Sequence, residues 1–119
     1  MKNYFTDAEL SCSCCGQYLF LPEFLYILNV IRGECGFALP VTSGYRCPKH
    51  PVEARKKHAG AHSRGLAVDI AVDRERAHRL IEEAMRQGIP RIGVNQKGKS
   101  RFIHLDIDSS LPSPTIWSY

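Results

Sequence analysis

Two short stretches alternate so strictly that few folds remain open to the chain. Over residues 66–73, Leu66, Val68, Ile70 and Val72 fall on one side of an extended strand, and Ala67, Asp69, Ala71 and Asp73 on the other. Over residues 101–108, Arg101, Ile103, Leu105 and Ile107 share one side, and Phe102, His104, Asp106 and Asp108 share the opposite side. Successive side chains of a strand point to opposite faces. Each stretch therefore offers an apolar face to a core and turns a second face, bearing Asp or His, away from it.

The remaining segments supply what such strands need. Thr6 followed by Glu9 reads as a capping box opening one short helical turn. Pro22 suits the first position of a helix whose apolar face carries Phe24, Leu25, Leu28 and Ile31, with Gly33 and Gly36 ending the run. Residues 39–43 read as a short strand. Residues 47–65 read as a long loop with a helical turn over 53–57, and long structured loops in small domains are often functional. Asp73 can cap a helix with the apolar stripe Ala77, Leu80, Ile81, Ala84 and Met85, and Gly88 suits the position just past its end. Residues 92–94 read as a strand joined to 101–107 through a polar hairpin loop at 95–100, and the tail with Pro112, Pro114 and Trp117 reads as irregular. The expected fold is α+β: one domain over residues 1–119, with a small antiparallel sheet, helices on one face and a metal site on the other.

The sequence has 119 residues, 44% of them hydrophobic, enough for a core without covalent staples. Its net charge of +4 suits either an anionic partner or simple solubility. Lys49, Arg55, Lys56 and Lys57 form the only dense basic run, and such a run is usually a solvated face. Nucleic acid is therefore not an expected partner. No apolar stretch is long enough to span a bilayer, and residues 1–5 do not open a secretory signal, so synthesis in the cytoplasm and no membrane partner are expected. Five cysteines, Cys12, Cys14, Cys15, Cys35 and Cys47, are many for this length, and their odd number leaves at least one outside any set of pairs.

The chemistry lies on the polar strand faces. Asp69 is flanked on its own face by Ala67 and Ala71, which leave open space above the carboxylate. His62 precedes that strand, with Gly65 providing a bend, and His104 comes from a neighbouring strand. Two imidazoles and one carboxylate would leave a fourth position free, the ligand count of a catalytic zinc site. Zinc there would activate water and polarise a carbonyl.

Three motifs then occur in order: Ser43-Gly-Tyr-Arg-Cys-Pro-Lys-His50, His62-Ser-Arg-Gly-Leu-Ala-Val-Asp69 and Phe102-Ile-His-Leu-Asp106. Together they resemble the zinc D-alanyl-D-alanine carboxypeptidase and L-alanyl-D-glutamate endopeptidase family, in its short, phage-type branch. The resemblance runs from the Cys-rich N-terminus to about Asp108. It implies that His62, Asp69 and His104 are the zinc ligands, and that Arg46 contacts substrate and stabilises developing charge, as a permanently charged, two-pronged guanidinium can. It implies hydrolysis of an amide bond in peptidoglycan stem peptides by a monomer acting on the cell wall, after release or within a phage particle.

The chain departs from the family pattern twice. Gly60 stands where many relatives have Ser. Arg101 and Phe102 occupy positions where well-studied members carry a base. Asp106 is the nearest alternative, as general base or as a group orienting a ligand. A non-catalytic, zinc-bearing wall-binding or virion module is the second reading. Cys12, Cys15, Cys47 and His50 match a structural zinc site, a disulfide to Cys47 is the rival arrangement, and free thiols are the third. Cys35 reads as core, and His58 and His78 as surface.

Overall fold

The alternating stretches pair with each other at the centre of the sheet. The computed structural model describes residues 2–47, 49–50 and 60–119. In chain order the elements are helix α1 (Asp7–Leu10), helix α2 (Pro22–Cys35), strand β1 (Val41–Ser43), a 3-10 turn (Ala61–Arg64), strand β2 (Ala67–Ile70), helix α3 (Arg74–Arg86), and strands β3 (Arg91–Asn95), β4 (Phe102–Asp106) and β5 (Thr115–Ser118). Across the sheet the strands run β1-β2-β4-β3-β5. The first three pairings, β1–β2, β2–β4 and β4–β3, are antiparallel. Strand β5 lies parallel to β3, so the sheet is mixed and the tail is not irregular. The α+β class and the two-faced sheet hold. No helix among the described residues is long and apolar enough to cross a membrane.

Local chemistry explains the helix ends. Thr6 Oγ1 accepts the Glu9 N–H at 3.2 Å while Glu9 Oε1 accepts the Thr6 N–H at 2.7 Å, closing the capping box and sending Leu10 into the core. Helix α2 begins at Pro22 and ends where Gly36 takes a left-handed φ of 75°. Gly33 lies within that helix, not at its end; the Tyr4 ring passes 3.9 Å from where its Cβ would be. In α3 the apolar stripe is narrower than expected. Met85 is exposed, while Glu83 is buried, held by Arg79 at 2.8 Å, Arg86 at 3.1 Å and Gln87 at 2.9 Å.

Phe24, Leu28 and Ile31 of α2 and Ala77, Leu80 and Ala84 of α3 pack on Val68, Ile70, Ile92, Ile103 and Leu105 of the sheet. At about 1.5–3 kcal/mol for each fully buried large side chain, this layer outweighs any single polar contact. It leaves the opposite face of β2, β4 and β3 to the polar residues. The helical turn expected over 53–57 lies outside the described residues, as does His58. His78 is exposed, and Cys35 packs against the core.

Candidate metal centre

Strand register builds the site as a row. Ser43 on β1 stands opposite Asp69 on β2, Asp69 opposite His104 on β4, His104 opposite Gly93 on β3, and Gly93 opposite Trp117 on β5. One step along the same face, Ala67, Asp106 and Arg91 form a second row. His62 joins from the 3-10 turn, which Gly65 ends at φ 72°. A side chain at 65 would be strained in that backbone, and its Cβ would fall 2.6 Å from the Leu19 carbonyl oxygen.

One donor atom each from His62, Asp69 and His104 lies within 4.8 Å of the others, and all three residues are buried. Both imidazoles are anchored from behind. His62 Nδ1 donates to the Gly44 carbonyl at 2.8 Å, which leaves Nε2 facing Asp69 Oδ1 at 3.4 Å. His104 Nε2 donates to Asp106 Oδ2 at 2.6 Å, which turns Nδ1 toward Asp69 Oδ1 at 2.9 Å. Metal-binding histidines are commonly held this way, through the ring nitrogen that does not face the ion. Burial opposes charge on Asp69, but hydrogen bonds from His104 and His62 outweigh it and hold the carboxyl well below the usual carboxylate range. Burial likewise opposes charge on His104, and Asp106 and Asp69 overcome it, raising the imidazole above its ordinary value. An anionic oxygen facing two fixed ring nitrogens, with room for a fourth ligand, is a donor set that fits zinc.

Arg46 reaches the same carboxylate. Its Nη2 is 3.2 Å from Asp69 Oδ2, and its Nε donates to Ser43 Oγ at 2.9 Å. Arg64 pairs with Asp108, at 2.6 Å from its Nε. Asp106 is fully buried. Besides His104 it takes Arg91 Nε at 2.8 Å and the Asp108 N–H at 3.1 Å. Its carboxylate is thus committed behind His104.

Three neighbours of the site were not anticipated. Arg91 stands opposite Asp106 in register and neutralises it. Trp117 lies 5.3 Å from the His104 ring, centre to centre, and Tyr119 lies 5.0 Å from Phe102. With Arg46, Ala61 and Leu111 these rings wall a cleft of about 370 Å³ above the three donors. Only the pairing of β5 with β3 brings Trp117 here, and a tail containing two prolines carries no strand pattern that would announce it. Gly93 was the available signal, because a small residue inside a strand marks a close approach. A Cβ at 93 would meet the Trp117 ring at 2.8 Å. The chain has one tryptophan, so its fluorescence reports on this wall. Gly93→Ala should displace the indole and change the emission spectrum while zinc content stays at the wild-type level; an unchanged spectrum would show the contact to be dispensable.

A second donor group forms where the N-terminal loop meets the segment after β1. Cys12, Cys14 and Cys47 come together, with Cys12 and Cys47 buried. His50, expected as a ligand there, has its Nε2 3.1 Å from Ser13 Oγ.

The family model of Peptidase M15 matches residues 3–106, which include His62, Asp69, His104, Arg46 and all five cysteines. No curated protein and no solved structure matches the chain. The match covers most of the chain, and the residues it spans form the three-donor site on the sheet: the chain belongs to the Peptidase M15 family of zinc-dependent peptidases.

Proposed function

We propose that the chain is a zinc-dependent peptidase that cuts peptidoglycan stem peptides at an amide whose leaving amine belongs to a D-amino acid. D-Ala-D-Ala and L-Ala-D-Glu bonds both meet that description. The observation that carries this reading is the three-donor cluster of His62, Asp69 and His104 at the floor of a cleft, with Arg46 beside it. Zinc bound there supplies a Lewis acid that polarises an amide carbonyl and acidifies water.

The residues of the chain do the rest. Gly44 and Asp106 fix the two imidazoles, so little reorganisation accompanies metal binding. Arg46, aimed by Ser43, places a permanent positive charge where the carbonyl oxygen gains negative charge. Trp117, Tyr119 and Phe102 exclude water along one wall and offer flat faces to a short peptide. The protein would act as a monomer on the cell wall, released by lysis or carried in a phage particle.

Digesting purified peptidoglycan with and without a chelator, with products identified by mass, tests the proposal. New amino termini on D-residues, lost on chelation and restored by zinc, are expected. Arg46→Ala should lower kcat by about 10²–10³-fold with zinc content unchanged, the usual cost of losing one donor to a developing oxyanion. A change confined to KM would assign Arg46 to ground-state binding only.

A second reading has its own observation. Among the described residues lining the cleft, Asp69 and Asp106 are the only carboxylates, and both are engaged. A zinc-loaded protein that releases no product from any muropeptide would favour a binding module.

A further inference from the structure

The N-terminal loop is wound tightly around one sulfur. The Cys12 carbonyl accepts the Gly16 N–H at 2.8 Å, and the Cys12 N–H donates to the Gln17 carbonyl at 2.8 Å. Gly16 closes this turn at φ 74°, a backbone that side chains rarely adopt. The turn directs the backbone N–H groups of Cys14 and Cys15 at Cys12 Sγ, and the Cys47 N–H reaches the same atom at 3.3 Å from the other side. N–H groups converging on one buried sulfur favour its thiolate form, which is the metal-binding form.

Two more sulfurs complete a cluster. Each Sγ of Cys12, Cys14 and Cys47 lies within 4.8 Å of the other two. Cys15, whose Sγ is 3.6 Å from Gln17 Oε1, interacts with Cys12 and Cys47 and borders the same solvent-facing hollow as Cys14 and Cys47. Thiolates packed this closely repel each other unless a cation lies between them. We propose that Cys12, Cys14, Cys15 and Cys47 hold a second, structural zinc ion, separate from the site on the sheet. Four thiolates fill a tetrahedral shell and leave no open position, which makes the site structural. Cys14 thus takes the place that the sequence offered to His50.

The position of the cluster says what it stabilises. Leu10, two residues before Cys12, accepts the Tyr45 N–H at 2.9 Å. Its carbonyl oxygen lies 2.6 Å from where a Cβ on Gly44 would be, so the two segments touch through backbone. From there Gly44 holds His62 Nδ1, and the Arg46 N–H donates to the His62 carbonyl at 3.1 Å. An ion at Cys47 therefore clips the N-terminal loop onto the turn that sets both His62 and Arg46.

The test needs no turnover. Protein purified under reducing conditions should carry two zinc ions per chain. Exchanged into cobalt, it should show an intense thiolate-to-cobalt charge-transfer band in the near ultraviolet. That band should persist in His62→Ala, which empties only the site on the sheet. It should collapse in Cys47→Ser and in Cys14→Ser, each retaining one zinc per chain; Cys14 is exposed, so its replacement does not threaten the fold. Wild-type protein with a single zinc and no thiolate band overturns the proposal. So does an intact mass short of two hydrogens, which reports a disulfide in place of the ion.

Discussion

His62→Ala should yield a folded protein that has lost one zinc ion per chain and cleaves no muropeptide. In the proposed site the imidazole is one of three donors, and the remaining two would hold the ion far more weakly against water and buffer. Removing a mere supporting partner of a ligand costs roughly 10–100-fold in affinity or activity. Removing the ligand itself should cost more, and excess zinc should not restore wild-type turnover. The fold should survive because His62 belongs to the 3-10 turn on the polar side of the sheet, away from the layer of α2 and α3. The structural loss is the hydrogen bond to Gly44, on the order of 1 kcal/mol. Elemental analysis, far-ultraviolet circular dichroism and a muropeptide digest check the three parts. Wild-type cleavage by the folded variant would sink both the ligand assignment and the proposed peptidase.

The three-donor cluster was legible because it obeys a local rule. Alternation along residues 66–72 and 101–107 assigns each side chain to a face, and two strands of one sheet that turn polar residues the same way bring them together. Asp69 and His104 duly sit opposite each other in register. His62 needed only the nearby turn at Gly65. Arg91, Trp117 and Tyr119 were hidden because they reach the site through strand pairing over long sequence distances. Arg91 matters through its register with Asp106, and Trp117 through a parallel ladder that no hairpin signal marks. The cysteine cluster shows the same limit on a smaller scale. Spacing suggested Cys12, Cys15, Cys47 and His50, whereas the loop closed at Gly16 brings the exposed Cys14 beside Cys12 and Cys47, and His50 faces Ser13.

Asp106 gives the sharper experiment, because its two candidate roles predict different failures. Asp106→Asn keeps the shape of the side chain and an oxygen able to accept from His104 Nε2, but removes the charge. If Asp106 positions His104, as its burial and its bonds to His104, Arg91 and the Asp108 N–H favour, zinc affinity should fall roughly 10–100-fold. Turnover should then recover as zinc is raised, because the reacting groups are intact once the ion is bound. Stability should fall too, toward the lower end of the roughly 3–5 kcal/mol typical of breaking a buried ion pair. The lower end applies because Arg91 keeps a hydrogen bond to the Pro112 carbonyl and its place 4.8 Å from the centre of the Trp117 ring. A general base would fail otherwise: the variant would bind zinc as tightly as wild type and stay inactive at every zinc concentration. Zinc titrations of binding and of cleavage on the same protein separate the two, and coincident recovery of both curves is the result the structure leads us to expect.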